Sequence, residues 1–197
     1  MTAERRRPAG AAVMQPQVTE AITEAVLAEL AEVGYGRLSM EAVARRAGVS
    51  KPTVYRRWRS KEEMVAALAS TLAVAAADTP DTGTLRGDVR AYLESAAGLL
   101  SHPLAARVIP DLLAEASRNP TLAQSLLIGA RDTRRERAAD MLRRAVARGE
   151  LPAELNIDLA LDMLAGPLYW RLMIVGIPIE PDYLDQLTDL LIAGWRG

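Results

Sequence analysis

Residues 35–64 read YGRLSMEAVARRAGVSKPTVYRRWRSKEEM, and this stretch decides the fold. Ser39 stands where a helix N-cap belongs, ahead of an apolar face made by Met40, Val43 and Ala44. Gly48 follows that face, and glycine accepts the left-handed backbone that a tight helix exit requires. Ser50 opens a second short helix with Pro52 in its first turn, where a missing N–H breaks no intrahelical bond. Two short helices over 39–47 and 50–58, joined by a Gly-containing turn, form the layout of a helix-turn-helix, whose second helix enters the major groove. Ser60, Lys61, Glu62 and Glu63 then match a capping box that starts a longer helix to about residue 77.

The second helix has a legible inside and outside. At roughly 100° per residue, Val54 and Trp58 lie about 40° apart and define the core side. Pro52, Thr53, Arg56 and Arg57 point broadly away from it, and Lys51 and Tyr55 flank it. A guanidinium can grip guanine O6 and N7 together, and Thr or Pro can pack on a thymine methyl. A Tyr hydroxyl and a Lys ammonium suit phosphate oxygens, as does Lys61 in the first turn of the following helix.

Charge is distributed accordingly. The 197 residues hold 24 Lys+Arg against 25 Asp+Glu, a net charge of −1. Residues 1–60 carry ten basic and six acidic side chains, and residues 61–197 carry fourteen and nineteen. Between Arg37 and Lys61 there are eight basic residues and a single acid, Glu41. A basic region on an acidic body implies an anionic partner for the first part, the bland alternative being a solvated face. With no Cys and one His, disulfides, thiol catalysis, Cys-ligated metals and a multi-histidine metal site within one chain are excluded.

The rest of the chain predicts an all-α protein of about nine helices, because apolar spacings of three and four recur without sustained alternation. Residues 1–15, containing Arg5, Arg6, Arg7, Pro8 and Gly10, are expected to form a flexible basic arm that could touch DNA. A first helix is expected over 16–33, with the stripe Val18, Ile22, Val26, Leu30 and Val33, ended by Gly34 and Gly36. After a Pro/Asp/Gly break at 78–83, helices are expected over 84–101, 103–117, 121–149, 157–176 and 181–195. The domains expected are the arm at 1–15, a helix-turn-helix domain at 16–77 and a helical C-terminal domain at 78–197. No signal peptide or membrane span is read, since Arg171, Pro167 and Pro178 interrupt the longest apolar run, so a soluble cytoplasmic protein is expected.

The motif quoted above, with the helices on either side of it over about 16–76, resembles the DNA-binding domain of the TetR (tetracycline-repressor) family. The resemblance implies an all-helical homodimer with a three-helix DNA-binding domain and a C-terminal domain for dimerisation and effector binding. It also implies transcriptional repression relieved by a small molecule. By position, the family's DNA contacts fall on Lys51, Pro52, Thr53, Tyr55, Arg56, Arg57 and Lys61, with Ser39 as a cap that meets phosphate. Trp58 stands where many members have Phe, another aromatic suited to the core. Residues 148–152 (RGELP) and 164–171 (LAGPLYWR) resemble the penultimate helices of one subgroup. The family's bundle of the last two helices would place Leu161, Leu164, Leu168, Leu172, Leu184, Leu187 and Leu191 at a dimer interface.

An effector pocket could draw on Tyr92, His102, Met141, Met163, Tyr169, Trp170 and Met173, although such residues equally make plain core. Gly166 and Pro167 could kink their helix and open a cavity, or let a partner helix pack close. The mixed charges from Arg131 to Arg137 read as a solvated helix face. Neither a phosphate loop, a nucleophile elbow nor metal-ligand spacing occurs, so no enzyme activity, metal or cofactor is expected. The expected partners are double-stranded DNA, a second copy of the chain and a small-molecule effector, with no membrane. The alternative functions are a non-specific DNA-binding architectural or helical interaction module, and an activator without a ligand.

Overall fold

A computed structural model of the chain describes residues 10–75, 80–126, 132–180 and 182–197. Arg5, Arg6, Arg7 and Arg131 lie outside them. Every regular element among the described residues is helical. They are α1 (Gly10–Arg37), α2 (Met40–Arg46), α3 (Lys51–Tyr55), α4 (Lys61–Ala75), α5 (Leu85–Ser101), α6 (Pro103–Ala116), α7 (Pro120–Leu126), α8 (Asp132–Ala147), α9 (Ile157–Tyr169) and α10 (Tyr183–Arg196), with a π-helical segment at Trp170–Val175. Two compact units divide inside α4, after Val65.

In the first unit, α1 begins at Gly10, so residues 10–15, expected in the arm, are helical. Ala11, Ala12 and Met14 are strong helix formers, which outweighs the lack of apolar periodicity there. Ile22, Val26 and Leu30 form the buried stripe, and Gly34 interrupts the helix at φ 74°. Ser39 caps α2, its Oγ accepting from the Ala42 N–H at 3.1 Å. Met40, Val43 and Ala44 are buried. Gly48 exits at φ 66°, and the Val49 N–H reaches back to the Ala44 carbonyl at 3.0 Å, the bond of a Schellman turn.

Helix α3 is shorter than expected, five residues, with Val54 fully buried. Ser50 holds the N-cap position in extended backbone but makes no side-chain cap bond, its hydroxyl lying 2.8 Å from that of Thr53. At α4 the Glu63 N–H donates to Ser60 Oγ, and the Glu63 carboxylate accepts from the Arg59 N–H at 2.8 Å, one residue upstream of the capping-box pairing.

The second unit is built around α5, α8, α9 and α10. Leu85, Val89 and Leu93 of α5 pack with Met141 and Leu142 of α8, Leu161, Leu164 and Leu168 of α9, and Leu184, Leu187, Leu191 and Trp195 of α10. Thr84, Asn119 and Asn156 cap α5, α7 and α9 through side-chain oxygens. The helix expected over 121–149 corresponds to α7 and α8, with residues 127–131 outside the described set. The helix expected over 157–176 changes character at its middle. Pro167 has no N–H to give the Met163 carbonyl, and from Trp170 the chain takes the wider π-helical turn.

A polar clasp fixes the start of α5. The fully buried Asp88 carboxylate accepts from the Thr82 N–H at 2.7 Å, the Thr82 hydroxyl at 2.8 Å and Arg148 at 3.3 Å. A Cβ at Gly87 would overlap Thr82 Oγ1, so glycine there lets the clasp close. Arg148 also pairs with Glu150, whose second oxygen accepts from the Leu85 N–H at 2.6 Å. The Leu85 N–H and then Arg148 hold the Glu150 carboxyl below the usual carboxylate range. A depressed folded value means stabilisation that is complete above the unfolded value, about 4.5, and is lost as pH falls through the folded one. Urea unfolding between pH 3 and 6 is therefore expected to show a steeper acid loss in the parent than in Glu150→Gln. Equal slopes would remove Glu150 from the acid response.

Candidate nucleic-acid interface

The outer face of α3 is short, basic and open. Lys51, Pro52, Tyr55 and Arg56 are exposed, and Thr53 and Arg57 are half-buried beside the buried Val54. Among the described residues no carboxylate lies in ion-pair contact with Lys51, Arg56 or Arg57. Several guanidinium groups elsewhere are engaged by acids. Arg46 bridges α2 to Glu29 and Glu32 of α1, with Glu29 only 7% exposed. Arg86, Arg90, Arg135, Arg143 and Arg148 each meet one or two carboxylates. Arg46 is thus a brace that sets α2 on α1, and the α3 cations are left for an anion.

The other expected contact residues have local roles as well. Arg57 reaches back to the Thr53 carbonyl at 3.3 Å. Ser39 uses a lone pair to cap α2 and keeps its hydroxyl proton to donate. Lys61 donates to the Tyr35 carbonyl at 3.2 Å, with its ammonium 4.3 Å from the centre of the Tyr35 ring. That anchors the start of α4 on the kinked end of α1 and leaves two of three ammonium protons. The Tyr35 hydroxyl donates to Glu62 at 2.7 Å.

One acid was missed as a member of this face. The Tyr55 hydroxyl donates to Glu41 Oε1 at 2.9 Å, from the end of α3 to the start of α2. This hydrogen bond is the main cause that lowers the Glu41 carboxyl and raises the Tyr55 hydroxyl from their ordinary values. The available signal was Glu41's isolation among eight bases.

The residues expected in an effector pocket are not brought together at one cleft. Met141 is fully buried in the core and Tyr92 is half-buried against it. Tyr169 and Met173 are half-buried where α9 passes into the π-helical segment. His102 is exposed and caps α6, its Nδ1 accepting from the Leu104 N–H at 3.3 Å. Met163 and Trp170 are exposed, Trp170 by 63%. Two open clefts, of about 380 and 410 Å³, contain none of the seven. Arg135 and Arg143 line one, and Arg86 and Arg196 line the other beside Ile192 and Ala193.

The expected dimer residues need correction. Leu161, Leu164, Leu168, Leu184, Leu187 and Leu191 are buried within the chain's own core, and Leu172 is half-buried. Their apolar face is already covered, so it is not a surface for a second copy. The exposed apolar residues of the same helices are Leu159, Met163 and Leu190, the last 71% exposed. A Cβ at Gly194 would lie 3.6 Å from Met163 Cε, so α9 and α10 present these residues side by side.

Residues 22–68 match the family described as "Bacterial regulatory proteins, tetR family", and residues 79–191 match the "Tetracyclin repressor-like, C-terminal domain". An HTH-type transcriptional regulator of Mycobacterium tuberculosis is 36% identical over 186 residues, 94% of this chain and 91% of the relative. The DNA-binding transcriptional repressor TetR of Mycobacteroides abscessus is 32% identical, over 86% of this chain and 88% of its own. The crystal structure of a TetR family transcription regulator, SCO0332, superimposes with a TM-score of 0.73 at 29% identity, covering 90% of this chain and 98% of that one.

Proposed function

The chain belongs to the TetR family of transcriptional regulators, and we propose that it is a repressor that holds a pseudo-palindromic operator as a homodimer until a small molecule releases it. The observation that carries DNA reading is the exposed basic face of α3, whose Lys51, Arg56 and Arg57 meet no carboxylate among the described residues, whereas Arg46, Arg135 and Arg148 do. Two copies of α3, one per protomer, would enter successive major grooves about one helical turn apart. Arg56 and Arg57 then read base edges, Lys51, Ser39 and Lys61 hold phosphates, and Pro52 and Thr53 offer apolar contact to a thymine methyl.

The dimer uses the outward face of α9 and α10, centred on Leu159, Met163 and Leu190. The effector acts on the second unit. Tyr92, Met141, Tyr169 and Met173 would line a space opened in its core, with the π-helical segment as an adjustable wall. His102, Met163 and Trp170 leave that set because they face outward. No described helix is long and apolar enough to cross a membrane. A DNA partner supports a cytoplasmic location.

Selection from a random duplex library tests this reading. An enriched palindrome with half-sites about one turn apart supports it, and retention of DNA without enrichment replaces it with non-specific binding. Arg56→Ala is expected to cost roughly 1–3 kcal/mol on the enriched site and to broaden base preference at one position per half-site. Lys61→Ala is expected to weaken all sequences alike. An unchanged profile for Arg56→Ala, measured by repeating the selection, would take that residue off the reading face.

A further inference from the structure

Glu41 is an anomaly on a DNA-facing surface. It is the single acid between Arg37 and Lys61, and it is bonded to Tyr55, which is 46% exposed beside the cations of α3. A tyrosine hydroxyl has one proton to donate. In the free protein that proton goes to Glu41, so it is not available to a phosphate oxygen, which can only accept. The carboxylate is also acceptor-only and negative, so a phosphate brought to the Tyr55 hydroxyl meets repulsion and gains no proton from it. Protonation does not relieve the conflict near neutral pH. The Tyr55 hydrogen bond, the Glu41 backbone and the nearby charge of Lys51 all favour the ionised carboxylate.

We propose that Glu41 is a specificity-determining residue, which withholds the Tyr55 hydroxyl from DNA until a base pair presents an amino group to its carboxylate. This rests on the reading of α3 as the DNA-reading helix. In the major groove, cytosine N4 is a donor of the kind that Glu accepts, so the partner assigned to Glu41 is a cytosine. On a matching site the exchange balances. The Glu41–Tyr55 bond is replaced by a bond from cytosine to Glu41 and a bond from Tyr55 to phosphate. On a non-matching site the phosphates attract the cations, but Glu41 keeps its proton donor and adds only repulsion. Discrimination is gained by penalising the wrong sequence as well as by rewarding the right one.

The test uses the full-length chain and three forms of it, the parent, Glu41→Gln and Tyr55→Phe. Each is taken through the random-duplex selection and then titrated against the enriched duplex and a scrambled one. Glu41→Gln keeps an acceptor for Tyr55 and loses the charge. It is expected to bind the scrambled duplex about tenfold more tightly, with the cytosine preference lost at one position per half-site. Tyr55→Phe is expected to weaken the enriched duplex about fivefold and leave the scrambled one unchanged, since there the hydroxyl is withheld anyway. Glu41→Gln with the parent's scrambled-duplex affinity and base profile overturns the proposal. So does a Tyr55→Phe loss of equal size on both duplexes. If the parent enriches no palindrome, the DNA reading of α3 fails and takes the proposal with it. A palindrome that Glu41→Gln leaves untouched fails Glu41 alone.

Discussion

Leu190→Glu is expected to give a folded monomer that no longer holds its operator. The side chain is 71% exposed, so the substitution disturbs no core packing within the protomer. In a dimer closed through α9 and α10 it would bury a carboxylate with no partner, on both sides of the two-fold axis. A monomer engages one half-site and loses the advantage of two linked reading heads, on the order of 10²–10⁴ in affinity. Sedimentation velocity reads the assembly state, and titration of the enriched duplex reads the loss. Leu168→Glu is the contrasting variant. Leu168 is 1% exposed, and a carboxylate there breaks the protomer's core. Its thermal melt is expected to collapse, whereas that of Leu190→Glu keeps a cooperative transition. A Leu190→Glu protein that still sediments as a dimer would move the interface off this face.

Asp88→Ala is expected to lower stability by about 3 kcal/mol, the low end for breaking a buried pair, because Arg148 keeps Glu150 and some contact with water. The carboxylate is 0% exposed and accepts three hydrogen bonds. Its removal strands the Thr82 N–H and frees the segment that leads into α5. Asp88→Asn keeps an acceptor for Thr82 and loses only the charge, so a smaller loss is expected. Urea midpoints at pH 7 separate the two variants. A loss under about 0.5 kcal/mol for Asp88→Ala would make the clasp decorative.

The parts of this protein that were legible in the sequence are those set by neighbours within one turn. Ser39 as a cap, Gly48 as an exit and Val54 as the inward residue of α3 follow from spacing alone, and all three stand so in the structure. The Tyr55–Glu41 bond joins residues fourteen apart on different helices, so no periodicity announces it. That the leucines expected at a dimer face lie in the protomer's own core was hidden for another reason. In α9, Leu159 and Met163 line one side, and Leu161, Leu164 and Leu168 the other. A helix apolar on two sides shows what must be covered and not by which partner. The clasp around Asp88 was hidden because it depends on Arg148 and Glu150, sixty and more residues downstream. Pro167 is legible as a perturbation, but the π-helical segment after it also makes contacts with residues farther along the chain. There Arg171 donates to the Pro178 carbonyl at 3.0 Å and stacks 4.3 Å from the Tyr183 ring centre.

Helix α3 has only five residues, and only Val54 is given wholly to the core. Its framework is supplied from outside, by the Gly48 turn and by the Arg46 brace onto α1. The positions proposed to meet DNA can therefore drift with little effect on folding. A duplicated gene could acquire a new operator through a few changes at Lys51, Thr53, Arg56 or Arg57 without first acquiring a stabilising background. A designer could likewise graft a foreign reading sequence onto this scaffold, keeping Val54 and Gly48 and leaving α1 untouched.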